Sequence, residues 1–324
     1  MDSEDITVSV AMITYNHEKY LRKALDSILM QKVDFKYEVI VGEDCSPDNS
    51  REILKEYKRK YPDIFRMIYR DKNIGATKNS YDVFTKCKGK YIAILEGDDF
   101  WTDEFKLKTQ VKFLKNNEEY SGVYHKVTVS DEFGTIIKNM PSDKFIIQNN
   151  IHEIGSPKRF IELCYETMGQ VFHVQSLIFK NIFLKYNNYG KIKNLLTTAD
   201  YICDTQLKLL VLERGKIKLI NKVMGNYRYI RKRNETSFSS QNILVHYSNI
   251  KNVWKAVDQY FDYKYGYLIK KLIIKEKYMV IFDRFKNKDM KNVFILFINE
   301  LNFKGKIGFI NYFNKRLITK IKKC

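Results

Sequence analysis

From residue 6 to residue 96 apolar, β-rich runs alternate with stretches of helical spacing, and several of the runs stop at a polar cluster. ITVSVAMI (6–13) suits a strand buried on both faces and is broken by Thr14-Tyr15-Asn16-His17. Leu21, Ala24, Leu25, Ile28 and Leu29 then recur at helical spacing. A second run, Tyr37 to Val41, ends at Gly42-Glu43-Asp44, and SPDNS (46–50) supplies turn and capping residues before a helix, Arg51 to Lys60. Phe65 to Tyr69 predicts a third strand, residues 76–87 a helix, and Lys90 to Leu95 a fourth strand ending at Glu96-Gly97-Asp98-Asp99. Such repeated alternation demands a mostly parallel sheet flanked by helices, an α/β fold. In open sheets of this kind ligands bind at the carboxyl ends of the strands. Thr14-Tyr15-Asn16, Asp44 and the acidic cluster, remote in sequence, are expected to meet there.

Beyond residue 122 the pattern changes. Gly122 to Ser130 predicts a strand, followed by a turn at DEFG (131–134) and a further strand. Residues 158–168 predict a helix, QVFHVQSLIFK (170–180) a strand, Asp204 to Arg214 a helix closed by Gly215, and Lys216 to Tyr229 a strand. All four prolines precede residue 158, and beyond about 238 only helices are expected. This predicts a catalytic domain over 1–237 and a helical, basic region over 238–324.

The acidic cluster carries the chemistry. Three carboxylates in four positions repel unless a cation sits between them. The chain has 57 Lys and Arg against 38 Asp and Glu, yet none of these cations lies within the cluster. A carboxylate loop after a buried strand suits Mn2+ or Mg2+ held against phosphate oxygens, where the ion neutralises a diphosphate leaving group. Gly97 permits close approach of backbone and ligand. An ordinary acidic turn is the plainer alternative; the buried strand before it and Phe100-Trp101 after it weigh against that.

Four segments in order, VSVAMITYNHEKYLRKALDSILMQ, EVIVGEDCSPDNS, NIGATKN and GKYIAILEGDDFW, resemble glycosyltransferase family 2, the inverting nucleotide-sugar transferases of GT-A (Rossmann-like) fold. A weaker match continues through CDTQLKLLVLERGKI and VMGNYRYI, and the tail is not covered. The resemblance implies a donor that is a nucleotide-sugar, UDP-linked, and a divalent metal. It implies a hexosyl- or N-acetylhexosaminyl-transferase acting on a glycan or lipid-linked glycan in bacterial surface polysaccharide synthesis. Thr14, Tyr15 and Asn16 stand where the family's first strand meets the nucleotide. Asp44 matches the residue contacting the uracil or its ribose, and Lys78 a cation contacting base or phosphate. Glu96-Gly97-Asp98 stands at the family's DxD motif, with Glu for the first Asp. Either Asp98 or Asp99 is then the metal ligand, the other contacting ribose.

Inversion needs one carboxylate to take the acceptor's proton on the face opposite the leaving nucleotide. Counting back from Gly215-Lys216-Ile217, Asp204 occupies the place of the family's base, with Asp200 as competitor. Many relatives carry a His shortly after the Tyr-Arg pair. Here Tyr227-Arg228 is followed by Tyr229-Ile230-Arg231-Lys232-Arg233, and the basic run is a candidate to neutralise the diphosphate instead. Gln170, His173 and Gln175 are candidates to face the acceptor.

The formal charge of +19 is concentrated late: residues 251–324 hold 18 basic and 6 acidic residues, net +12. Lys270-Lys271-Leu272-Ile273-Ile274-Lys275 and 291–298 mix Lys with apolar residues as membrane-surface helices do. An anionic membrane surface is therefore an expected partner, with simple packing on the catalytic domain as the alternative. Five scattered Cys without a CxxC pair, an acidic start without a signal-peptide pattern, and no long uncharged apolar run lead us to expect a cytoplasmic chain, peripheral on the inner face of the cell membrane. Two rival functions fit less well. A sugar nucleotidyltransferase would open with a Gly-rich signature and a cation for triphosphate, which VSVAMITYN lacks. A basic nucleic-acid-binding module would show a recognition motif, and an acidic edge repels phosphate backbones, so no nucleic-acid partner is expected.

Overall fold

A computed structural model of the protein describes residues 6–167, 171–184, 189–199, 204–229, 243–286, 308, 309 and 312. The chain divides into two units, residues 1–241 and 242–324.

The first unit opens with β1 (Ile6–Thr14), α1 (Glu18–Leu29), β2 (Lys36–Glu43), α2 (Ser50–Lys60), β3 (Phe65–Tyr69), α3 (Ala76–Lys86) and β4 (Tyr91–Glu96). β1 is buried on both faces, as its unbroken apolar run requires. Val8, Val10 and Met12 join Leu21, Ala24, Leu25 and Ile28 of α1 in the main core. Each such large apolar side chain contributes about 1.5–3 kcal/mol on burial. Ala11 and Ile13, pointing the other way, face α3. β1 lies between β2 and β4, parallel to both, with Thr14 opposite Glu43 and Ile13 opposite Glu96. That register lines up the carboxyl ends of three strands.

Then follow β5 (Phe100–Trp101), α4 (Lys106–Asn116), β6 (Tyr120–Ser130), β7 (Ile136–Met140), α5 (Asp143–Asn149), β8 (Glu153–Ile154), α6 (Pro157–Thr167), β9 (Ile178–Lys180), α7 (Tyr189–Leu196), α8 (Asp204–Glu213) and β10 (Lys216–Arg228). The sheet order is β3-β2-β1-β4-β9-β6-β10-β5, with β7 on β6 and β8 on β10. β9 is antiparallel to both β4 and β6, and β10 is parallel to β6. The long strands β1 to β4, β6 and β10 therefore share one direction, making the sheet mostly parallel. Trp101 is buried, and Lys106, fully buried, holds its ammonium 4.0 Å from the Trp101 ring centre. Burial holds that lysine's pKa well below the ordinary range.

One sequence expectation needs correction here, and a second needs an addition. QVFHVQSLIFK is not one strand: among its described residues, Val174–Ser176 form a 3-10 turn and only Ile178–Lys180 pair in the sheet. The Ser176 hydroxyl and backbone N–H both donate to the His173 carbonyl, closing the turn. The SPDNS turn satisfies the start of α2 through Asp48, whose Oδ1 accepts from the Ser50 backbone N–H at 3.0 Å, while Asn49 makes no side-chain cap bond. The segment's polar side chains also reach across to the β1–α1 turn. Ser46 Oγ, Ser50 Oγ and Asp48 Oδ2 accept from the backbone N–H groups of Asn16, His17 and Glu18 at 3.1, 3.0 and 2.8 Å.

The second unit contains α9 (Ile243–Tyr260) and α10 (Gly266–Lys286), packed as a pair. Val253, Trp254 and Val257 of α9 are buried, as are Ile269, Leu272, Val280 and Ile281 of α10, while Ile274 is exposed. Apolar residues are spread around α10 rather than gathered in one stripe, so this helix lacks the strongly amphipathic form expected of it. Residues 291–298 lie outside the described residues.

Candidate active site

The carboxyl ends of β1, β2 and β4 bring their polar clusters together. Asn16 and Cys45, just past β1 and β2, adopt left-handed backbone conformations with φ of 58° and 60°. Such strain in a non-glycine residue is commonest at functional edges. Asp44 is buried, and its two carboxylate oxygens accept from the backbone N–H groups of Ile74 and Gly75 at 2.8 and 3.0 Å. It thus fixes the turn leading into α3. Tyr15 is half-buried at this edge, and Lys78 is exposed on the first turn of α3.

The acidic turn after β4 sits against the β1–α1 turn. The Gly97 backbone N–H donates to Ile13 O, and Thr14 Oγ1 lies 3.2 Å from His17 Nδ1. A Cβ on Gly97 would stand 2.7 Å from both His17 Nδ1 and Thr14 Oγ1, so no other residue lets the turn lie this close. The Asp98 carboxylate lies 3.8 Å from His17 Nε2.

Asp99 is 1% exposed; its Oδ1 accepts from the Arg228 backbone N–H at 2.9 Å. Its Oδ2 has no hydrogen-bond partner and lies 3.8 Å from His173 Nδ1, which also lacks one. Glu96, Asp99 and His173 each present one ligand atom, all within 4.8 Å of one another. The Arg228 guanidinium donates to the Asp98 carbonyl and stacks over Tyr20, 4.2 Å from its ring centre, clamping the end of β10 to the turn.

Burial, then the charges of Asp204 and Asp98, push the Glu96 carboxyl well above the ordinary range, with Lys208 partly offsetting them. Burial, then Asp98 and Glu96, push Asp99 up, offset in part by Arg228. His173, stacked on Tyr227 at 4.0 Å, is held down at about 3 by burial and by Lys208. Its imidazole is therefore neutral and able to donate a lone pair. Two carboxylates that resist ionisation and a neutral imidazole, with two buried atoms lacking partners, fit a divalent cation. The oxygens suit Mg2+ or Mn2+, and the nitrogen favours the softer Mn2+.

Asp204 begins α8, and it lines a cavity shared with Glu96 although the two lie far apart in sequence. One turn on, Lys208 is buried with its ammonium donating to Phe172 O at 2.8 Å. Asp200, Gln170 and the run Arg231-Lys232-Arg233 lie outside the described residues. Gln175 is fully buried beneath Gly225 and not open to an acceptor. The sequence reading gave no role to His17, Lys208 or Arg228, and treated His173 only as acceptor-facing. No local signal in the sequence marks His173 for this place, where it stacks on Tyr227.

Comparison with known proteins identifies the family. Residues 9–197 match the model of glycosyl transferase family 2. An uncharacterized glycosyltransferase of Methanocaldococcus jannaschii is 30% identical over 250 residues, 76% of this chain and 79% of that protein. The chain belongs to glycosyltransferase family 2. Other curated relatives match a shorter stretch: uncharacterized mycobacterial proteins are 42% identical over 134 residues, and the match spans only 39% of their length. The putative teichuronic acid biosynthesis glycosyltransferase TuaG of Bacillus subtilis is 31% identical over 43% of this chain and 52% of its own. Among solved structures, S. aureus TarS matches with TM-score 0.53 at 13% identity, over 90% of this chain and 55% of TarS. The mannosyltransferase PcManGT from Pyrobaculum calidifontis, solved with GDP-Man and Mn2+, gives 0.53 at 13% identity, over 87% and 73%. These two show the GT-A type of fold. No helix among the described residues is long and apolar enough to cross a membrane.

Proposed function

We propose that this protein is an inverting, metal-dependent transferase that moves a sugar from a UDP-sugar to an acceptor hydroxyl of a glycan or lipid-linked glycan during surface polysaccharide synthesis. The observation that carries it is the convergence of Asp204 with Glu96, beside the Glu96–Asp99–His173 trio. A base and a metal-ready cluster then flank one space, as displacement at an anomeric carbon requires. TuaG's name supports the polysaccharide setting, and S. aureus TarS has been solved with UDP and with UDP-GlcNAc. PcManGT's Mn2+ supports the metal.

In this mechanism Thr14, Tyr15, Asn16 and Asp44 form the nucleotide's edge, with Lys78 near its phosphates. Glu96, Asp99 and His173 would hold a divalent ion, which would supply positive charge against the departing diphosphate. Asp98, beside His17, would contact the ribose or the ion. The Asp204 carboxylate accepts the acceptor hydroxyl's proton as its oxygen attacks the anomeric carbon from the opposite face. Titration calorimetry should show UDP binding with Mn2+ and its loss with chelator. Binding unaffected by chelator counts against the metal cluster, and binding of GDP alone counts against UDP.

Attachment of the basic C-terminal region to anionic lipid is proposed on its net +12 charge and on exposed Lys270, Lys271 and Ile274. The full chain is expected to co-sediment with vesicles containing anionic lipid better than a chain ending at residue 241. Equal sedimentation of the two removes the idea.

A further inference from the structure

A slot of about 40 Å³ runs from the catalytic edge down between the sheet and α3. Glu96 and Asp204 line it at the end where the strands finish, and Ile94 and Phe84 line it deeper. Between them stand Ala76, Thr77 and Ser80 of α3, the latter two buried. The slot thus has carboxylates at its mouth, two hydroxyl-bearing residues on its wall and an apolar end. Its volume takes about three water-sized groups. That is the size of an acetyl unit: a carbonyl carbon, its oxygen and a methyl.

The position of the mouth selects which part of a ligand enters. On the function proposed above, on which this inference rests, the reacting anomeric carbon would lie between Asp204 and the diphosphate beside the Glu96–Asp99–His173 cluster. The ring carbon next to it is C2, so a C2 substituent is the one within reach of a slot opening between those carboxylates. Groups on C4 or C6 lie across the ring. A bare C2 hydroxyl is too short to fill the slot and leaves its apolar end empty. An acetamido group places its polar amide among Thr77, Ser80 and the carboxylates, and its methyl against Ile94 and Phe84.

We infer that this slot between the sheet and α3 receives the acetamido group of a nucleotide-linked 2-acetamido sugar, and that Ala76, Thr77 and Ser80 set this donor preference. In competition against labelled UDP with Mn2+, the full chain should bind UDP-N-acetylglucosamine or UDP-N-acetylgalactosamine at least about tenfold more tightly than UDP-glucose or UDP-galactose, as expected for an added group that fills an apolar pocket. Saturation-transfer NMR should give the acetamido methyl a signal as strong as that of the uracil ring. Ala76→Leu, which fills the slot, should bring the two classes within about twofold of each other while UDP itself still binds. Equal affinities in the wild type, or an unsaturated methyl, overturn the inference and leave the transferase reading standing. Absence of all UDP binding overturns that reading, and this inference with it.

Discussion

Asp204→Asn is expected to retain nucleotide binding and to lower sugar transfer by about 10²- to 10⁴-fold, the usual contribution of a positioned general base. Asn has nearly the shape of Asp and still accepts a hydrogen bond, so α8 should keep its place in the fold. What it loses is the capacity to take a proton. Asp204 is the described carboxylate that shares a cavity with Glu96 without belonging to the Glu96–Asp99–His173 cluster. The measurement is single-turnover transfer with saturating donor, beside calorimetry of UDP with Mn2+. If transfer survives, the base lies elsewhere, and Asp200→Asn is the next variant to measure. If nucleotide binding is lost along with transfer, Asp204 belongs to the donor site and not to the acceptor's proton.

The second large effect concerns Asp99. Asp99→Asn keeps an oxygen for the Arg228 backbone N–H, so the tie between the turn and β10 survives. It replaces Oδ2, the buried oxygen without a partner, by an amide that cannot ligate a cation well. Mn2+-dependent UDP binding is therefore expected to vanish. Stability should move the other way. The raised pKa means that ionised Asp99 opposes folding of the metal-free protein at neutral pH. For an acid with a raised folded pKa, that cost is present above the raised value and gone below the unfolded one. Removing the charge should raise the metal-free Tm, by about 2–4 °C for each 1 kcal/mol relieved. Function would then be held at the expense of stability. A variant with unchanged Mn2+-dependent binding, or with a lower metal-free Tm, contradicts this account of Asp99.

The parts legible in the sequence were those with local causes. β1, β2 and β4 read within one or two residues because strands buried on both faces are continuous apolar runs, and the half-buried edge strand β3 read from its short β-rich run. Their polar ends were legible as the ligand edge because parallel strands all finish on the same side. Reading failed where distant pairing decides. His173 lies in a run that alternates like a strand, yet the chain turns there to stack the imidazole on Tyr227 and aim it at Asp99. Lys106 carries no sequence signal of its burial against Trp101. Ser46, Asp48 and Ser50 look like a cap for α2 alone, but they also secure the start of α1, a contact across the sheet that no local pattern shows. Neither Arg228 on the acidic turn nor Asp204 beside Glu96 has a local signature, since both approaches depend on how the sheet is ordered.

The most direct test is anomalous diffraction at the manganese edge from a crystal of this protein soaked with UDP and Mn2+. The account predicts a single strong peak bounded by Glu96, Asp99 Oδ2 and His173, at ligand distances of about 2.0–2.2 Å as for other small divalent sites, with the UDP diphosphate on its open side. Bound UDP with no peak there, or with manganese held by other residues while Asp99 Oδ2 stays unligated, would contradict it.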